Sequence, residues 1–222
     1  MELIELPPNQ IDVYPGSLEE TLTDDATNFP YKIINIVCLA KMTRPDPESK
    51  INFEELEKRI TVKRLNRFPC VLFKIDEISV ILFKNGKLIL TGIKKRETIE
   101  PLRLKIIDHL RNKGKLEFSE MTTEIQNLVV MSQLGKIINL EMACLTLTNC
   151  LYEPEQFPAA IIKPTTGGTF LIFSNSKIIG LGMKSMDMVK NSLKNLISDI
   201  FENDLFIRVN DDDPFDDDQL FF

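Results

Sequence analysis

The side chains able to do covalent or metal chemistry are few in this 222-residue chain, and their spacing works against it. His109 is the single histidine, and no Cys, Asp or Glu arrangement around it suggests a metal ligand or a general base. Cys38, Cys70, Cys144 and Cys150 lie inside apolar runs without CxxC spacing. They read as buried thiols of a reducing compartment and not as zinc ligands. Gly167-Gly168 lacks the Lys-Ser/Thr sequel of a phosphate loop and reads as a hairpin turn. A different set of residues recurs at fixed spacing. Phe83 and Phe173, Asn85 and Asn175, Lys87 and Lys177, Gly92 and Gly182, and Lys94 and Lys184 are pairs 90 residues apart. Rings, amides and ammonium groups bind more readily than they react. The sequence argues against an enzyme, and it implies no cofactor, no metal and no small-molecule substrate.

Charge points to the class of partner. The net charge of -6 would by itself disfavour a polyanion. Its distribution reverses that reading: residues 1–30 carry seven acidic groups and no Lys or Arg, and residues 200–222 carry eight acidic groups and one Arg. Residues 31–199 hold 26 basic against 18 acidic side chains. A basic body between acidic ends fits a polyanion-binding domain with solubilising or competing tails. No window reaches the roughly 18 uncharged apolar residues of a membrane span, and MELIELPPNQ lacks the basic start of a signal peptide, so an intracellular protein with no membrane partner is expected.

The elements that must position the recurring residues are themselves duplicated. KIINIV (32–37) matches EIQNLV (124–129), NRFPCVLF (66–73) matches EQFPAAII (155–162), and VILFKNGKLILTGIK (80–94) matches FLIFSNSKIIGLGMK (170–184). Chance similarity of strands would reproduce the Val/Ile pattern, but hardly the fixed polar and glycine positions. Two copies suggest a pseudo-two-fold molecule with one sheet through both halves. The expected organisation is an acidic extension 1–30, a first repeat 31–120, a second repeat 121–201 and an acidic tail 202–222.

In the first copy Tyr31–Leu39 reads as a strand. Asn52 with Glu55 reads as a capping-box start for a helix over Phe53–Ile60. Strands follow over Phe68–Ile75 and Ile78–Phe83, then a two-residue type I′ turn at Asn85-Gly86 into Leu88–Thr91. A longer helix covers Ile99–Asn112, stopped by Gly114. The second copy gives a strand over Ile125–Met131, a helix over Leu140–Leu147 and a helix from Met186 capped by Ser185. In the first strand Ile33, Val37 and Leu39 should share a face with Asn35, opposite Ile34, Ile36 and Cys38. Both faces are therefore apolar, while the helices can cover only one. The other is a binding surface, or is covered by dimerisation or by the tails.

The ordered series INIV, RFPCVLF, LFKNGKLILTGIK, IQNLV, YEPEQFP and LIFSNSKIIGLGMK resembles the tandem repeats of the TATA-box-binding proteins, over roughly Tyr31 to Phe201. The resemblance implies an α+β saddle: a ten-stranded curved antiparallel sheet whose concave face meets DNA, with four helices on the convex side. It assigns Phe68 with Phe83, and Phe157 with Phe173, to two wedges that enter between base pairs and kink the duplex. It matches Asn35 and Asn127 to donors at the centre of the minor groove, beside Val37 and Val129, with Ile89, Thr91, Ile179 and Leu181 on the flanks. A·T pairs show only acceptors there, so amide donors suit them. Leu181 departs from the pattern, because the first copy has the hydroxyl of Thr91 there. Arg67, Lys74, Lys87, Lys94, Lys163, Lys177 and Lys184 match phosphate-facing or nearby bases, which set affinity and salt dependence.

Glu153 and Glu155 match the acidic loop that contacts the B-type general transcription factor. The implied partners are double-stranded A/T-rich promoter DNA, that factor, and other basal factors with RNA polymerase machinery. The implied site of action is the nucleus in a eukaryote, the cytoplasm or nucleoid in an archaeon, or the host nucleus or viral factory for a virus. A competing reading keeps the saddle but makes it an adaptor or competitor that acts by protein-protein interaction with weak DNA binding.

Overall fold

The computed structural model describes residues 30–65 and 67–207. The expected acidic extension and most of the expected acidic tail lie outside the described residues. Among those described, ten strands form one antiparallel sheet with four α-helices on its convex side. The first copy supplies β1 (Tyr31–Thr43), α1 (Phe53–Glu57), β2 (Lys63–Arg64), β3 (Cys70–Ile75), β4 (Ile78–Phe83), β5 (Lys87–Ile93) and α2 (Ile99–Asp108). The second supplies β6 (Glu120–Gln133), α3 (Leu140–Thr146), β7 (Cys150–Leu151), β8 (Ala159–Ile162), β9 (Thr169–Phe173), β10 (Lys177–Met183) and α4 (Met186–Glu202). The strand order β2-β3-β4-β5-β1-β6-β10-β9-β8-β7 reads the same way outward from the β1/β6 seam, as a duplication requires.

Alternation in the strands decides where the core sits. Ile36, Cys38 and Ala40 of β1 and Leu128 and Val130 of β6 are buried, whereas Val37, Leu39, Val129 and Met131 between them are only partly covered. The helices meet the buried rows. Val189, Leu193, Leu196 and Ile200 of α4 recur at helical spacing, and Leu102 and Ile106 do so in α2; all join the strand residues in one cluster. Burying each such side chain contributes about 1.5–3 kcal/mol. The two copies fill this core differently at one place. Val80 pairs with Leu90 in the first, and Phe170 pairs with Gly180 at the repeat-related positions in the second. A Cβ on Gly180 would stand 2.9 Å from the Phe170 ring, so the large and small partners exchange places with volume kept.

Side-chain caps form at three helices, at Asn52 and Ser185 as expected and at Asn139 in addition. Asn52 accepts from the Glu54 and Glu55 amides, Asn139 from Met142 and Ser185 from Met188. Only half of the expected box forms, since Glu55 bonds Lys58 Nζ at 2.7 Å and α1 stops at Glu57. The helix expected over Ile99–Asn112 is α2 followed by a π-helical turn, His109–Lys113. Gly114 keeps an ordinary right-handed conformation, and it is Lys115 that takes the left-handed one (φ 56°). Glycine is needed at 114 for space, because a Cβ would meet Leu110 O at 2.7 Å and Leu56 Cδ1 at 3.0 Å.

Three further expectations need correction. The turn at Asn85-Gly86 is not type I′: only Gly86 has positive φ (84°), and Gly86 N bonds Phe83 O at 3.0 Å. The loop is a three-residue one, with Asn85 Oδ1 accepting from Lys87 N, and Asn175 and Ser176 repeat it. Ile33 does not share the Asn35 face. The register slips between Ile33 and Asn35, which changes the phase of alternation and packs Ile33 on the core. The same slip before Asn127 leaves Gln126 unpaired and turns Ile125 inward. Lastly, Cys38 and Cys70 are buried thiols as expected, but Cys144 and Cys150 form a disulfide. The reason is spatial: the end of α3 lies beside β7, so a six-residue separation closes to a Cα–Cα distance of 4.9 Å.

Candidate nucleic-acid interface

The uncovered face of the sheet carries two rows of apolar side chains that meet at the β1/β6 seam. On one side Leu72 pairs with Ile81, Ile81 with Ile89, and Ile89 with Leu39. On the other Ile161 pairs with Leu171, Leu171 with Ile179, and Ile179 with Met131. Nothing in the chain packs over these rows among the described residues, and all are only partly covered. Thr91 pairs with Ser79 and Leu181 with Thr169 on the same face. An apolar concave strip of this length is suited to a flat, regular partner.

The polar centre of the strip is built around the two slips in register. Asn35 pairs with Val129, and Asn127 pairs with Val37, so the four residues form a two-fold-related set about the seam. Each asparagine is oriented by a glycine of the next strand. Gly92 N donates to Asn35 Oδ1 at 2.9 Å, and Gly182 N donates to Asn127 Oδ1 at 2.8 Å. Gly92 and Gly182 have φ of 98° and 77°, a left-handed region that glycine occupies without cost, and it turns their amides out of the ladder. With the carbonyl oxygens engaged, the amide nitrogens remain to donate. Asn35 Nδ2 lies 3.5 Å from Thr91 Oγ1, at the limit of a hydrogen bond. Asn127 has no such neighbour, because Leu181 replaces the hydroxyl. Among the described residues Asn127 Nδ2 makes no hydrogen bond.

The four phenylalanines stand toward the two ends of the sheet. Phe83 pairs with Cys70 and Phe173 with Ala159, and Phe68 and Phe157 stand two residues before Cys70 and Ala159. Phe157 and Phe173 meet edge to face with ring centroids 6.3 Å apart. Phe68 is 64% exposed and Phe157 39%, although a free phenylalanine would ordinarily be buried. Both follow short turns: Phe68 N bonds Leu65 O at 3.0 Å, and Phe157 N bonds Glu153 O at 3.0 Å. Glu153 and Glu155 are exposed in the second of these turns.

The basic residues divide by face. Lys58, Arg64, Arg103 and Lys105 bond to Glu55, Glu57, Glu100 and Asp76. Lys74, Lys87, Lys163 and Lys177, on or at the ends of strands, join no ion pair among the described residues. Arg67 is exposed in the turn before Phe68, and Lys94 is exposed just past β5. Lys184 is likewise exposed just past β10, where it lines a groove of about 880 Å³ with Arg96, Glu100, Glu124 and Asp187. His109 stacks on Phe73 at 5.4 Å, and burial lowers its pKa. No cluster of three or more metal-ligating side chains occurs among the described residues.

Sequence reasoning missed one pair on the concave face. Lys32 pairs with Met131 and Glu124 with Leu39, and cross-strand partners share a face. KIINIV and EIQNLV place the two at matching positions, so the alignment carried the signal. One half of the strip therefore holds a cation where the other holds an anion.

A family model described as transcription factor TFIID (or TATA-binding protein, TBP) matches residues 30–113 and 122–203. The TATA-box-binding protein of Thermococcus kodakarensis is 31% identical over 188 residues, covering 79% of this chain and 93% of that protein. That of Pyrobaculum aerophilum is 30% identical over 177 residues, covering 78% of this chain and 86% of its own length. Among solved structures, Methanococcus jannaschii TBP superposes with a TM-score of 0.69 at 28% identity, covering 78% of this chain and 98% of that one.

Proposed function

We propose that this chain, which belongs to the TATA-box-binding protein family, grips A/T-rich promoter duplex through its minor groove and bends it. At the coarser level it is a DNA-binding transcription factor, and family membership assigns it no catalytic role. The observation that carries the finer reading is the fixed orientation of Asn35 and Asn127 by Gly92 and Gly182. It leaves amide donors where a groove floor offers only the acceptors of adenine N3 and thymine O2. Guanine would bring a competing donor to the same place. Phe68, Phe83, Phe157 and Phe173 act as wedges at the two ends, losing stacking worth a few kcal/mol and gaining contact along the bent duplex. Lys74, Lys87, Lys163 and Lys177 neutralise phosphates, so affinity falls steeply with salt. Arg67, Lys94 and Lys184 add to this at the rim.

Glu153 and Glu155 dock the B-type general transcription factor at the turn before Phe157. Pro154 and Pro158 limit the freedom lost there on docking. Other basal factors and RNA polymerase machinery use the convex side. Leu181 and Glu124 favour a second reading, an adaptor with weak DNA binding that works by protein contacts. Equilibrium binding of the full chain to an A/T-rich duplex and to a G/C-substituted duplex, at one stated salt, separates the two. Clear preference for the first supports groove reading; equal, weak binding moves the chain to the adaptor class.

A further inference from the structure

The two copies tie their first helix to their edge strand in chemically different ways. Counting from the caps Asn52 and Asn139, Glu57 and Cys144 occupy matching places near the ends of α1 and α3. In the first copy Arg64 of β2 grips Glu57 through Nε at 2.5 Å and Nη2 at 2.9 Å. In the second the tie is the Cys144–Cys150 disulfide, with Cys150 opening β7. β7 otherwise pairs only through Cys150 with Ile162 and Leu151 with Ile161. The chain then runs directly into the turn where Glu153 O accepts from Gln156 N and Phe157 N. The covalent tie thus anchors the strand from which the Phe157 turn projects.

We propose that Cys144 and Cys150 form a reversible thiol–disulfide site that sets how firmly the Phe157 turn holds DNA, the oxidised form being the tighter. The proposal rests on the reading that Phe157 enters the duplex. Both cysteines are half-buried, and Leu145 between them is 83% exposed, so a small reagent reaches the pair. Cys38 and Cys70 do not compete, since they are 0% and 3% exposed. Burial also pushes the Cys38 thiol up to about 11 and raises that of Cys70. The oxidant is a low-molecular-weight disulfide. One cysteine thiolate attacks it, releasing one thiol and leaving a mixed disulfide; the second thiolate then displaces the other thiol. The two cysteine protons end on the two released thiols, and two electrons pass to the reagent. Once closed, the link removes motion that the turn would otherwise lose on binding.

The test uses full-length protein equilibrated against a series of oxidised-to-reduced glutathione ratios. Alkylation and mass measurement read the state of the pair, and dissociation from an A/T-rich duplex is timed on the same samples. The expected result is interconversion of two states, with the oxidised protein dissociating roughly three-fold or more slowly than the reduced. The double variant C144S/C150S should dissociate at the reduced rate at every ratio. Free thiols at all ratios, or equal rates for the two wild-type states, would overturn the proposal. Phe157→Ala keeps the underlying reading separate. If it weakens binding while redox state leaves the rate unchanged, the redox site alone fails. If it binds like wild type, the Phe157 reading fails, and the comparison of the two wild-type states still decides whether the site acts on DNA.

Discussion

Asn127 and Gly182 are joined by a hydrogen bond of 2.8 Å in which the backbone N–H donates to the side-chain oxygen. Asn127→Asp preserves the acceptor that Gly182 needs, so the fold should be retained. It removes the amide donors and adds a negative charge at the groove floor. Affinity for an A/T-rich duplex should fall on the order of ten-fold or more, since one lost donor pair of this kind is worth about 1–3 kcal/mol. Binding curves beside thermal unfolding check it: unchanged affinity with an intact fold would remove Asn127 from the interface.

Phe68 is largely exposed, so its truncation should separate stability from function. Phe68→Ala should change unfolding free energy by no more than about 0.5 kcal/mol, as for other exposed sites. Its DNA complex should be less bent and shorter-lived. A large loss of stability would mean that Phe68 is a packing residue. An unaltered complex would mean that it is idle at the surface.

Glu153 and Glu155 are exposed in a turn that has Pro154 between them and Pro158 after Phe157. Reversing both to Lys should leave binding of bare duplex unchanged or slightly stronger, because two negative charges near phosphates are gone. Recruitment of the B-type factor onto the preformed complex should weaken several-fold, since like charges would face its basic patch. Unchanged recruitment, read as a supershift, would place the docking surface elsewhere.

His109 offers a pH test with few competitors, because it is the only histidine. Burial against Phe73 lowers its folded-state pKa below the ordinary value. Below about pH 6.5 the unfolded chain therefore binds more protons than the folded one. Its contribution to stability is complete above that pH and is lost as pH falls through the folded-state value. His109→Phe keeps a stacked ring and should flatten this part of the stability–pH curve. Identical curves for variant and wild type would show that His109 does not titrate differently on folding.

The sequence made the duplication legible because polar and glycine positions recur at one spacing, which strand propensity alone does not impose. Gly92 and Gly182 were visible as a pair, but their role was not: it depends on a backbone turned to positive φ at a bulge of their own strands, where Thr91-Gly92 and Leu181-Gly182 each face one residue of the adjoining strand. The register slips between β1 and β6 hid the inward facing of Ile33 and Ile125, because strict alternation has no memory of a bulge. The turn at Asn85 was misassigned because Asn85-Gly86 satisfies the composition of a two-residue loop, and only the Lys87 amide bound to Asn85 Oδ1 selects the longer one. The disulfide was missed for a tertiary reason, since nothing in a six-residue separation says that β7 returns beside α3.

Bending separates groove intercalation from mere binding, because it follows from four wedges acting together and not from attraction to phosphates. The ends of an A/T-rich duplex would carry a donor and an acceptor dye, and energy transfer would be recorded as full-length protein is added at fixed salt. A G/C-substituted duplex of equal length is the control. A saturable rise in transfer on the A/T-rich duplex is expected, reduced in Phe68→Ala and Phe157→Ala and far weaker on the control. Binding without any rise in transfer, or an equal rise on both duplexes, would contradict it.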